Sequence, residues 1–181
     1  MKVLSLMVNN RNHACAIMEV LMIALSRFMS NYRGYIMKPI TAYDIANVFV
    51  KMSDTESGDV LTNLKLQKLV YYAQGFHLAL YNAPLFQDSI VAWEHGPVVV
   101  DLYHKLRDYK SSQVIITDKI NSNIDSTQMG LLKEISKIFG QFSAWKLRNM
   151  THNEQPWQST ERDEVITHDK LKLYFKTQLQ S

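Results

Sequence analysis

Few residues in this 181-residue chain have types and spacings suited to chemistry. Five of the six histidines fall after residue 36: His77, His95, His104, His152 and His168. Eight residues separate His95 from His104, which matches no common zinc-ligand spacing. A metal site, and with it a metal-dependent hydrolase, would need the fold to gather His95, His152 and Glu154 in space. His77 stands at the margin of an apolar helical stripe, where a hydrogen-bonded core-edge histidine is the simpler reading. Cys15 is the single cysteine, which excludes an internal disulfide and a Cys-rich zinc site. It lies in the first 36 residues, apart from the other candidate residues, so a Cys–His nucleophile is not expected. The sequence holds no phosphate-binding loop, dinucleotide glycine fingerprint, His-Glu-x-x-His or nucleophile elbow. Asp163 and Glu164 read as a solvated acidic pair.

The aromatic residues offer a different kind of chemistry. Trp93, Tyr103, Trp145 and Trp157 need burial against something, either the core or the groove of a partner, since Trp and Tyr dominate interface hot spots. Tyr71 and Tyr72 are adjacent, so on a helix they point about 100° apart. One is expected inside and the other at a rim.

The elements that must position these residues read as mostly helical. Thr41 and Asp44 form a capping pattern, followed by Ile45, Val48, Phe49 and Met52 at helical spacing. A polar loop spans 53–59. A long helix follows Thr62 or Asn63, with Leu66, Leu69, Val70, Ala73, Phe76 and Leu80 as its stripe, and Asn82 and Pro84 end it. The run 89–93 is a strand candidate. Pro97 is expected at the first position of the next helix, whose buried face would carry Val99, Leu102, Tyr103, Leu106 and Tyr109. The run 114–117 is a second strand candidate, expected to pair with 89–93 as a small ribbon packed on helices. Met129, Leu132, Ile135 and Phe139 mark a helix ending at a left-handed Gly140. A short helix over 143–150, an irregular segment over 151–160, and a final helix capped by Thr167 and carrying Leu171, Tyr174, Phe175 and Leu179 complete the chain. The expected fold is mainly α: a single domain of about five to seven helices with a small two-stranded β element.

Charge is unevenly distributed. Residues 1–36 hold four basic residues against Glu19, so the net charge of +3 belongs to this segment and the rest is neutral. A neutral body gives little support to DNA binding, which requires cations to displace phosphate counterions. The apolar run 14–29 is broken by Glu19 and Arg27. It is too short and too charged to span a membrane, and it lacks a clear signal-peptide cleavage site. Residues 1–36 are therefore expected to be an N-terminal extension, either a docked amphipathic helix or sequence upstream of a start at Met37. Residues 37–181 are expected to form the domain.

Three strings resemble one family. Leu64-Lys65-Leu66-Gln67-Lys68-Leu69-Val70-Tyr71-Tyr72-Ala73-Gln74 is similar to the opening signature of the Panacea-domain, or SocA-like, antitoxins. Ala92-Trp93-Glu94-His95-Gly96-Pro97-Val98, then Leu102-Tyr103, resembles the second signature. Thr151-His152 with Pro156-Trp157 is a looser third. The resemblance covers about residues 41–178 and omits 1–36. It implies a non-enzymatic, cytoplasmic, often phage-encoded protein with no cofactor, whose partner is a cognate toxin neutralised by direct binding. It also implies a second possibility, an adaptor delivering that toxin to a Clp-type protease. The expected partner-binding residues are Lys68, Tyr72, Trp93, His95, Tyr103, His152 and Trp157. Gln67, Lys68, Tyr71 and Tyr72 would frame a polar rim around an aromatic pocket. His152 and Trp157 would close it. Leu66, Leu69, Gly96 and Pro97 are expected to be structural.

Overall fold

The computed structural model describes residues 39–53 and 60–179; the expectations for residues 1–36 lie outside this range. Helix α1 is Ala42–Met52. Its start is fixed by a reciprocal capping box, in which the Asp44 amide donates to Thr41 Oγ1 and the Thr41 amide donates to Asp44 Oδ2. Helix α2, Asn63–Tyr81, is capped by Thr62 and stopped by Asn82, which adopts a left-handed conformation at φ 59°.

The packing of α2 departs from the single stripe expected. Fifteen of its 19 residues are buried, on every side of the helix, while Leu80 is exposed and Phe76 is half-buried. A helix covered all round is the axis of a domain rather than a surface element. Helices α1, α4, α5 and α7 surround it, with α4 at Ser126–Phe139, α5 at Ala144–His152 and α7 at His168–Gln178. Helix α3, Val100–Leu106, runs into a 3-10 turn at Arg107–Tyr109, and α6 is the single turn Gln155–Gln158. The segment 151–160, expected to be irregular, therefore contains the end of α5 and all of α6. The final helix is capped by Thr167 as the sequence indicates.

A small sheet completes the fold, with partners other than those expected. Strand β1, Ile90–Trp93, pairs antiparallel with β2, Gly96–Val99, across a two-residue turn at Glu94 and His95. Pro97 thus lies in a strand, opposite Ala92, and the helix begins at Val100. The ladder tolerates this proline for a geometric reason. Ala92 directs both its backbone groups to the other side of β1: its N–H donates to the Glu164 carbonyl, and its carbonyl accepts from the Asp163 amide. Position 97 is asked for no N–H. The run 114–117 shows alternating burial but pairs with no strand; the Val114 amide donates to the Leu61 carbonyl. Gly140 also differs from expectation, remaining right-handed at φ −59°.

The core joins Phe49, Leu66, Leu69, Leu102, Leu132 and Leu147 with an aromatic cluster. In that cluster Tyr72 stacks on Phe139 at 3.9 Å between ring centroids, and Phe175 meets Tyr71 edge-on at 5.5 Å. Gly75 lies directly under the Phe175 ring, with no room for a β-carbon.

Candidate functional site

The polar residues of α2 resolve into a set of buried struts. The outward edge of β2 faces this helix, and two side chains satisfy it. Gln67 Oε1 accepts from the Val99 amide at 2.8 Å, and Lys68 Nζ donates to the Pro97 carbonyl at 2.9 Å. About two turns further, Gln74 holds the loop after the helix: its Oε1 accepts from the Leu85 and Phe86 amides, and its Nε2 donates to the Phe86 carbonyl. Tyr71 and Tyr72 each donate a 2.8 Å hydrogen bond to Glu154, one to each carboxylate oxygen. Buried backbone groups must find partners somewhere, and here one helix supplies them to a hairpin and to the loop at 85–86, while its two tyrosines supply them to a buried carboxylate.

The reading of Gln67, Lys68, Tyr71 and Tyr72 as a polar rim is accordingly corrected. All four side chains are interior, and Lys68 is completely buried. Neither Lys68 nor Tyr72 presents atoms to a partner, so any influence on binding passes through the hairpin and loop they hold.

This interior carries charge at unusual proton affinities. Burial pushes the Lys68 ammonium down to about 7; nearby Arg148 lowers it further, and Glu154 partly opposes the change. Burial pushes Glu154 up to about 6, against the two tyrosine hydrogen bonds and the charge of Lys68. Tyr71 and Tyr72 are raised above the ordinary phenol value by burial and by the Glu154 carboxylate. His152 is held below the usual imidazole value by burial, then by Arg148, Lys68 and His95, with a hydrogen bond to the His95 backbone opposing.

Gly96 closes the assembly. Its φ of +94° suits glycine, and a β-carbon there would stand 2.8 Å from Lys68 Nζ and 2.9 Å from Thr151 Oγ1. Glu94 and His95 keep negative φ, so the positive φ needed to reverse the chain falls on the glycine after the turn.

On the outside, the hairpin separates two cavities. The larger is about 570 Å³ and is lined by Trp93, His95 and Tyr103 of the expected set. The smaller is about 320 Å³ and lies between Trp93 and Trp157. Trp93 meets Tyr103 edge-on at 5.0 Å. Trp157 stacks on His152 at 4.0 Å and donates its indole N–H to the Trp93 carbonyl. Of the seven expected partner residues, Trp93, His95 and Tyr103 line the larger cavity, Trp157 lines the smaller with His152 stacked on it, and Lys68 and Tyr72 are buried in the interior.

Several residues of this face were not singled out from sequence. Arg162 reaches from the loop before α7 to pair with Glu94 at 2.9 Å. Arg107 and Lys110 line the larger cavity from the end of α3. No sequence signal connects them, because the turn after α3 and the loop carrying Arg162 come together only around this cavity. Trp145, whose size alone drew notice, is 61% exposed on the cavity wall, with Arg148 over its ring at 5.9 Å and His95 at 6.3 Å.

The metal-site alternative finds no support in the geometry. Both Glu154 oxygens are engaged by tyrosine hydroxyls. Among the described residues no three His, Cys, Asp or Glu groups stand together as metal ligands. No helix of the described residues is long and apolar enough to cross a membrane.

Fold and site together define a small helical domain in which a central helix carries a hairpin with an aromatic, solvent-facing side. The family described as "Antitoxin SocA-like, Panacea domain" matches residues 66–158, just over half of the chain, and the chain belongs to this family. Searches of curated proteins and of solved structures find no match.

Proposed function

We propose that this protein is an antitoxin that neutralises a cognate toxin by direct, stoichiometric binding, using the hairpin face. Membership of the SocA-like family supports the antitoxin role. The observation that carries the choice of face is Trp145. It is a large, mostly exposed aromatic ring beside His95, on the wall of a cavity that Trp93 and Tyr103 also line. Exposed aromatics around a concavity are the usual anchors of a protein interface. The polar residues behind them serve to keep that surface in place.

The test is co-expression with the product of the adjacent reading frame. The reading requires growth rescue and co-purification at near-equal amounts. Failure of both would overturn it. Rescue accompanied by a shortened toxin half-life would redirect the mechanism to delivery of the toxin to a Clp-type protease.

A further inference from the structure

We infer that the larger hairpin cavity receives an acidic–aromatic peptide segment of the partner, with an apolar ring against its tryptophans and a neighbouring carboxylate among its cations. This deepens the antitoxin reading by naming the chemistry of the segment bound. Three observations carry it.

The first is the wall. Trp93, Tyr103 and Trp145 surround a space of about 570 Å³, enough for one or two side chains. The second is charge. Arg162 is neutralised by the two carboxylates that line the cavity, Glu94 at 2.9 Å and Asp163 at 3.9 Å, whereas no carboxylate of the described residues pairs with Lys110, and Arg107 has only its exposed neighbour Asp108 at 3.8 Å, which leaves the cavity with an excess of positive charge. The first turn of α2 also lines the cavity at Asn63 and Leu64 and contains no acidic residue, so the positive end of a 19-residue helix adds to the same sign.

The third observation is backbone strain. Three non-glycine residues among those described have positive φ. Asn82 ends α2. The other two, Lys110 at φ 50° and ψ −117° and Asp163 at φ 65°, both line this cavity. Such conformations cost of order 1–3 kcal/mol and gather at binding sites. A peptide suits these features better than a nucleotide, because the cations are spread around an aromatic wall and no glycine-rich loop offers clustered amides to a phosphate.

The experiment is an NMR titration of the full 181-residue chain, observed at its three tryptophan indoles. The probes are acetyl-Phe-Asp-amide, acetyl-Phe-Asn-amide, acetyl-Ala-Asp-amide and adenosine monophosphate. The Phe-Asp probe is expected to shift Trp93 and Trp145 saturably and leave Trp157 in place. Removing its charge or its ring should weaken binding by about five-fold each, as one partly exposed contact does. Arg107→Glu combined with Lys110→Glu should abolish the preference for Asp over Asn. No saturable shift, equal affinity for the Asp and Asn probes, or tighter binding of adenosine monophosphate would overturn the inference. No toxin is needed, so a chain that rescues growth yet ignores the peptides removes this inference alone.

Discussion

Gly96 and Lys68 are packed so closely that a β-carbon on the first would stand 2.8 Å from the ammonium nitrogen of the second. The hairpin therefore rests on a buried lysine, and the absence of a side chain at position 96 lets that lysine reach the Pro97 carbonyl. Gly96→Ala meets both the steric conflict and a φ of +94°. We expect it to destabilise the fold by about 1–3 kcal/mol, seen as a lower urea midpoint. An unchanged midpoint would contradict the packing described.

Stability should depend on pH with opposite signs on either side of neutrality. Glu154 is raised to about 6, so between its unfolded value near 4.5 and 6 the folded state binds more protons, and stability falls as pH rises. Lys68 is lowered to about 7 from 10.5, so between those values the unfolded state binds more protons, and stability rises with pH. Urea midpoints measured across this range should pass through a shallow minimum between about 6 and 7. Glu154→Gln should flatten the acid limb and Lys68→Met the alkaline limb. A parent profile matching both variants would refute the assignment.

Glu154 also accepts both tyrosine hydroxyls, so Glu154→Ala leaves two buried donors without partners. Each such donor is worth roughly 1–3 kcal/mol. Thermal unfolding should show Glu154→Ala losing more stability than Tyr71→Phe or Tyr72→Phe alone. The reverse order would mean that the carboxylate is not the shared acceptor.

Gly75 and Phe175 provide a packing test. With the aromatic ring lying on the glycine, Gly75→Ala is an overpacking change and should destabilise by roughly 1–3 kcal/mol. Phe175→Leu relieves the same contact while removing core volume. In a double-mutant cycle the combined loss should be smaller than the sum of the single losses. Strict additivity would show that the two residues do not share the contact.

The sequence made most helices legible because their caps are local. Thr41, Thr62, Ser143 and Thr167 each accept from a backbone amide three residues on, and the residue types signal it. The hairpin was misread because Gly96-Pro97 is locally a good helix opening. What decides otherwise is distant: the 163–166 segment takes the Ala92 backbone groups, and Gln67 and Lys68 take the edge of β2. Gln67, Lys68 and Tyr72 looked like surface because polar side chains usually are. No periodicity in α2 reveals that every side of it is covered. Trp93, His95 and Tyr103 lie in or beside one signature string of the sequence and line one cavity, whereas Arg107, Lys110 and Arg162 join them only in three dimensions.

Affinity for the proposed toxin, measured beside stability, distinguishes most directly a binding surface from the interior that supports it. His95→Ala with Trp145→Ala should leave the unfolding free energy from urea titration within roughly 0.5 kcal/mol of the parent. The same variant should weaken toxin binding by about 30-fold or more, as loss of an aromatic anchor does. Unchanged affinity in a folded His95→Ala, Trp145→Ala variant would contradict the account and move the interface elsewhere on the domain.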